Sequence, residues 1–137
     1  MVEVSCDRAR IDVALVHRYL SEESYWAKGI TREVVERSIA HSLPFGAFDG
    51  EAQVGFARVI TDYATFGYLA DVFVLPSHRG RGVSKALMAA IVAHPGLQGL
   101  RRWHLVTRDA QGLYAQFGFV PLDAPERHMM RLHRRGE

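Results

Sequence analysis

Apolar and polar positions along the chain change period several times, and each change marks an element. Val2 to Ser5 reads as a short strand, and after Asp7 the residues Ile11, Ala14, Leu15, Arg18 and Tyr19 recur at three- and four-residue steps. That spacing predicts one helical face ending near Ser21. Residues 22–29 have no clean period, hold Tyr25 and Trp26 and end at Gly29, which reads as a connection. Thr31 caps a second helix to about Ser42, with Val34, Val35 and Ile39 inward and Pro44 closing it. The period then becomes two: Phe45 to Phe48 and Val54 to Ile60 flank Asp49-Gly50, the signal of an antiparallel hairpin. Phe66 to Leu75 is apolar at nearly every residue except Asp71, as in a strand covered on both faces, and stops at Pro76. Val83, Leu87, Met88, Ile91 and Val92 form an amphipathic helix ending at His94-Pro95. Beyond it the pattern predicts a strand at Trp103–Thr107, a short helix at Ala110–Phe117, a strand at Phe119–Leu122 and a last one at Met129–Leu132. Strands and helices in this order predict an α/β (α+β) fold, a mixed sheet with helices on its faces.

Composition narrows the class. The 137 residues are 48% hydrophobic and 23% charged, without repeat or linker, so residues 1–137 are expected to form one domain. A chain of this size buries about two-thirds of its unfolded surface, enough for a core without staples. The formal charge of +2 gives no sign of a nucleic-acid-coating polycation. Residues 1–78 carry seven basic and eleven acidic side chains, net −4, and residues 79–137 carry ten and four, net +6. Either two solvated faces, or an anion held by the second half and a cation by the first, would produce that split. Cys6 is the single cysteine, which excludes an internal disulfide and the usual structural zinc spacings and makes a reducing cytoplasm the expected compartment. Glu3, Asp7, Arg8, Arg10 and Asp12 interrupt any apolar run at the amino end, so neither signal peptide nor membrane partner is expected. The seven histidines show no metal-ligand spacing, and no metal is expected. His104, on a predicted strand, is either a proton relay in a cleft or an ordinary surface or core residue.

The chemistry concentrates where the long strand runs through Arg79-Gly80-Arg81-Gly82 into a helix. Gly80 and Gly82 allow positive φ and leave the amides uncovered, and the helix start adds N–H donors and about half a positive charge. That is an anion site of pyrophosphate size, or else simply a tight turn. The nucleoside-triphosphate loop and the dinucleotide glycine fingerprint both have other spacings, and a repetitive RNA-binding Arg-Gly segment does not occur between apolar elements.

Arg79-Gly80-Arg81-Gly82-Val83-Ser84 resembles the Gln/Arg-x-x-Gly-x-Gly/Ala signature of the GNAT family of N-acetyltransferases, with Ser84 departing in the last slot. Ala110-Gln111-Gly112-Leu113-Tyr114-Ala115-Gln116-Phe117-Gly118-Phe119 is similar to the family's later Ala-x-x-Leu-Tyr-x-x-x-Gly-Phe stretch, and Thr107 stands where many members carry Asn. The resemblance implies a mostly antiparallel sheet of six to seven strands flanked by about four helices and splayed between its fourth and fifth strands. It implies acetyl-CoA as cofactor, the amides from Arg79 to Ser84 on its pyrophosphate, and charge from Arg79, Arg81 and Lys85. Val72, Phe73 and Val74 would pair with pantetheine, with Phe73 or Val74 donating an N–H to the thioester carbonyl. Tyr114 matches the family's general acid; by itself it reads equally as a core tyrosine with a hydrogen-bonded tip.

The implied acceptor is a primary amine, of a small molecule or a peptide, attacking directly in a ternary complex. Such an amine lies about three pK units below its own pKa at neutral pH, a cost of roughly 4 kcal/mol, so a base or a desolvating pocket is needed. Asp71 is the candidate, as base, substrate anchor or structural hydrogen-bond acceptor. Polyamine-type relatives often place a Glu before such an Asp, where this chain has Ala70. Glu22, Glu23, Tyr25 and Trp26 are the candidate acceptor wall, since acids and rings suit a cation, with Tyr63 and Tyr68 as weaker candidates. The competing reading is an acyl-CoA-binding or regulatory module without transfer. Monomer and homodimer are both open.

Overall fold

The computed structural model describes residues 2–133. Five strands form one sheet in sequential order: β1 (Val2–Ser5), β2 (Leu43–Asp49), β3 (Ala52–Thr61), β4 (Phe66–Val74) and β5 (Arg102–His104). Neighbours β1 to β4 are antiparallel, whereas β5 runs parallel to β4 and pairs only Phe66, Gly67 and Tyr68 with Arg102, Trp103 and His104. A parallel neighbour requires a crossover. It contains α3 (Val83–Ala93), which packs on one sheet face, while α1 (Val13–Arg18) and α2 (Arg32–Ala40) cover the other and α4 (Gln111–Ala115) follows β5. The mixed α/β sheet with four helices is as expected. Among the described residues no helix is long and apolar enough to cross a membrane.

Two apolar layers hold the sheet. On one side Phe45, Ala47, Val59, Leu69 and Val74 meet Leu87, Met88 and Ile91 of α3 and Tyr114 of α4; on the other, Phe48, Phe56 and Phe73 meet Val16, Tyr19, Val35 and Ile39. Leu69 and Phe73 would share a face in a regular strand, yet they belong to opposite layers. The reason is a bulge: the β3–β4 register slips between Phe56/Phe73 and Arg58/Ala70, and Asp71 within that slip has φ 54°. One extra residue inverts the faces of everything beyond it. The apolar run from Phe66 to Leu75, broken only by Asp71, therefore reflects a strand that changes faces as well as one that is covered twice.

Several boundaries differ from the sequence reading. Asp12 caps α1 through its bond from the Leu15 N–H, and the helix runs into a π turn at Tyr19–Glu23 instead of ending at Ser21. Thr31 caps α2 as expected, but Val34 is exposed while Val35 and Ile39 are buried; on α3, Val92 is likewise exposed. Pro44 lies inside β2, beyond the reach of β1, rather than closing the helix. The sheet has five strands among the described residues, not six to seven. Phe119–Leu122 and Met129–Leu132 form no ladder: Pro121 lacks a donor, and the side chains of Val120, Met129 and Met130 find no apolar cover. β5 ends at His104, three residues early, because the chain turns toward α4 with the Thr107 hydroxyl accepting the Ala110 N–H at 3.0 Å.

Candidate active site

Between β4 and α3 the chain makes a short turn at Pro76–His78 and then passes through Gly80 and Gly82, at φ 75° and 79°. Gly82 is the N-cap of α3, and a Cβ on either glycine would meet nothing within 4 Å, so the space above both is open. The first intrahelical bond runs from the Ala86 N–H to the Gly82 carbonyl, which leaves the N–H groups of Val83, Ser84 and Lys85 without helical acceptors. A cleft of about 320 Å³ opens there, and it brings together Val74, Arg79, Gly80, Gly82, Val83, Ser84 and Lys85 with Leu113 from the start of α4. These donors and this open cradle fit an anionic diphosphate.

Arg81 borders a neighbouring cleft with Val2 and Asp49. Arg79 is turned inward, donating from Nε to the Val74 carbonyl at 3.0 Å and from Nη2 to the Tyr19 hydroxyl at 2.9 Å, and so ties the loop to the end of β4. A second tie joins His78 Nε2 to the Asp49 carboxylate at 2.8 Å, and this hydrogen bond holds the Asp49 carboxyl below its ordinary range.

Past Tyr68 β4 and β5 part, and β4 exposes one edge. Val74 stands opposite Gly55 while the Leu75 N–H donates to the Val54 carbonyl at 2.8 Å. In an antiparallel ladder this pattern makes Val74–Gly55 a non-bonded pair, so the Val74 N–H and C=O point away from β3 and those of Phe73 point toward it. Val72 lies at the bulge, half-buried.

At the bulge of β4, Asp71 is the centre of a polar cluster. Its Oδ1 accepts from Trp26 Nε1 at 2.8 Å and its Oδ2 from Arg58 Nε at 2.7 Å, with the Asp71 and Arg58 side chains 11% and 16% exposed. Tyr25 packs edge-on against Trp26 at 5.0 Å; the Arg108 guanidinium lies 3.9 Å over the Tyr25 ring, and the Arg108 N–H donates to the Tyr25 hydroxyl at 3.2 Å. The connection after α1 thus reaches over to the loop before α4. Tyr114 is buried under that bridge, packed edge-on against Phe119. Burial first, and then the neighbouring Tyr25 phenol, pushes its hydroxyl above the ordinary tyrosine pKa.

The remaining candidates are less central. Glu22 and Glu23 are exposed at the end of the π turn, and Tyr68 and His104 face each other at 5.8 Å where β4 still pairs with β5. Tyr63 lies in the β3–β4 turn, a full strand length, roughly 25 Å, from Val74. Arg58 and Arg108 were not singled out from the sequence. A signal for Arg58 existed, because it is the lone charge in Val54–Ile60 just as Asp71 is in Phe66–Leu75, and lone charges in adjacent apolar strands pair. Arg108 had no comparable signal, since its ring partner is 83 residues away.

The acetyltransferase (GNAT) domain family matches residues 40–121. The chain belongs to the GNAT family of acetyltransferases. It is 58% identical to a GNAT-family protein of Xanthomonas campestris pv. campestris, with a TM-score of 0.95 over 97% of this chain and 94% of that one. It is also 30% identical over 135 residues, 82% of this chain and 75% of the relative, to the Gibberella zeae protein named "Putative acetyltransferase FG08082". A Clostridium acetobutylicum protein solved with acetyl-CoA shares the fold at 16% identity, with a TM-score of 0.71 over 97% and 96% of the two chains.

Proposed function

We propose that this protein transfers an acetyl group from acetyl-CoA to a primary amine by direct attack in a ternary complex. One observation carries the reading: two left-handed glycines and three helical N–H groups without helical acceptors open onto the cleft that Val74 also lines. Gly80 to Lys85 bind the pyrophosphate, and Lys85 adds charge at the cleft. The outward Val74 N–H orients the thioester carbonyl and stabilises negative charge on its oxygen, a role the inward Phe73 N–H does not reach. The bound thioester supplies an activated acyl carbon and a sulfur leaving group.

Tyr114 is the general acid. Its raised pKa keeps the phenol protonated at neutral pH, and its proton moves to the departing sulfur as the C–N bond forms and the C–S bond breaks. The amine loses its own proton to solvent, and solvent returns one to the Tyr114 phenolate. Asp71 is a positioning residue instead of a base, because both its oxygens are already held, and through Trp26 it fixes the wall against which the acceptor rests.

Acetyl-CoA at saturating concentration should raise the melting temperature, and a panel of primary amines should reveal at least one that releases free thiol. Absence of any shift overturns the binding reading; a shift with no thiol release from any amine overturns transfer. Tyr114→Phe should keep the thermal shift and lower kcat about a hundredfold or more.

A further inference from the structure

The protein itself uses only part of the polar cluster at the β4 bulge. A guanidinium carries five N–H donors, and Arg58 donates from Nε alone, to Asp71 Oδ2 at 2.7 Å. Among the described residues its two Nη groups have no acceptor, yet they are not sealed from solvent as His104 Nε2 is. Asp71 cannot turn to meet them, because its other oxygen is held by Trp26 Nε1 at 2.8 Å. Opposite Arg58 in the ladder stands Ala70, whose methyl group offers no acceptor either. With only 16% of its side chain exposed, Arg58 is held in one place, and a fixed fork of N–H groups matches two oxygens of one carboxylate or phosphonate.

A line of contacts connects this fork to the acyl-transfer centre. Tyr114 feels the Tyr25 phenol, Tyr25 packs on Trp26 with ring centres 5.0 Å apart, Trp26 binds Asp71, and Asp71 binds Arg58. Along β4, Asp71 precedes Val74 by three residues, no more than about 10 Å of strand. A small molecule spans that distance. The Tyr25 and Trp26 rings, 48% and 42% exposed, lie between the two ends in this order of contacts and supply an apolar surface.

We infer that the acceptor is a small molecule carrying an acidic group as well as its primary amine, and that the Arg58 Nη groups bind the oxyanion. The inference rests on the acetyl-transfer reading for the fate of the amine, whereas the oxyanion contact can be measured without transfer. The acid docks on the fork, the amine reaches the thioester, and the chain joining them rests on Trp26. Asp71 keeps its positioning role, since its hold on Nε turns the rest of the guanidinium outward. Arg58 then determines specificity: an amine without an acidic group leaves the fork unpaired.

Calorimetry in saturating CoA reads binding without chemistry. β-Alanine, γ-aminobutyrate or aminopropylphosphonate should bind at least about tenfold more tightly than propylamine and butylamine, and the carboxylate and phosphonate arms show which oxyanion the fork prefers. Arg58→Lys keeps a cation beside Asp71 but loses the fork, so the preference should fall severalfold. Arg58→Gln combined with Asp71→Asn removes both charges together, leaves no orphan, and should abolish the preference even where the lysine packs poorly. The thermal shift with acetyl-CoA checks that each variant is folded. Equal affinity for acidic and neutral amines in the wild type overturns the inference, as does a preference that survives both variants. Selective binding of an acidic amine with no thiol release from any amine would instead overturn acetyl transfer and leave the oxyanion site in place.

Discussion

Asp71 concentrates the tension of the site in one residue. Left-handed backbone at a non-glycine position costs roughly 1–3 kcal/mol, and asparagine and aspartate tolerate it best. The strain is held because Arg58 and Trp26 occupy both carboxylate oxygens. Arg58→Met removes one partner and leaves a nearly buried charge uncompensated, which should destabilise the fold by about 3 kcal/mol in urea unfolding. In an Asp71→Asn background the same change should cost clearly less, because no orphan charge remains, and the double-mutant cycle measures the difference. Asp71→Asn alone keeps the backbone and an acceptor for Trp26. It should raise KM for the amine severalfold and leave the pH profile of kcat in place; loss of the acidic limb would restore Asp71 as a base. A different carboxylate contributes to acid sensitivity. Asp62 accepts from the N–H groups of Ala64, Thr65 and Phe66 and from the Thr65 hydroxyl, which together hold it well below the usual range, the hydroxyl contributing most. A depressed native pKa stabilises the fold above the unfolded value of about 3.9, and that stability is lost as pH falls below it. Melting temperatures between pH 5 and 2.5 should therefore fall less steeply in Asp62→Ala than in the wild type.

Elements with a strong local period were legible: the hairpin, the long strand, the helix after the glycine turn and the cap at Thr31 follow from spacing and short-range chemistry, whereas the cap at Asp12 was not read. What escaped reading depends on partners distant in sequence. The bulge at Asp71 needs β3 opposite it, and Phe119–Leu122 and Met129–Leu132 look like strands by composition yet enter no ladder among the described residues. The candidate site divides the same way, since Gly80, Gly82 and Ser84 are contiguous and readable, whereas Arg58 and Arg108 join only when the sheet is assembled. The glycine turn also makes a prediction at this scale. At Gly82 a Cβ would strike nothing, so Gly82→Ala carries backbone strain of roughly 1–2 kcal/mol without a clash. That strain and the methyl group over the open cradle should weaken acetyl-CoA binding at least about tenfold in calorimetry, while the variant remains folded.

Across the whole molecule, the split between β4 and β5 makes the β5 end of the sheet depend on contacts other than its ladder. β1 to β4 are cross-linked along most of their lengths, but β5 holds β4 by three pairs, and the α4 region gains a further tie through Tyr25 and Arg108. The acidic first half supplies Tyr25 and the basic second half Arg108, so the bridge ties the connection after α1 to the loop before α4. A cation over a largely exposed ring is worth about 0.5–1 kcal/mol, small against global stability yet large against local opening of a short helix. Tyr25→Leu removes both the ring face and the hydroxyl acceptor. The melting temperature should fall by no more than about 4 °C, whereas amide exchange over residues 108–114 should accelerate severalfold with β2 and β3 unchanged. Because Tyr114 lies under the same bridge, the loosened α4 should also lower kcat while leaving the thermal shift with acetyl-CoA in place; an α4 that exchanges no faster in Tyr25→Leu would show that its position is set by the core alone.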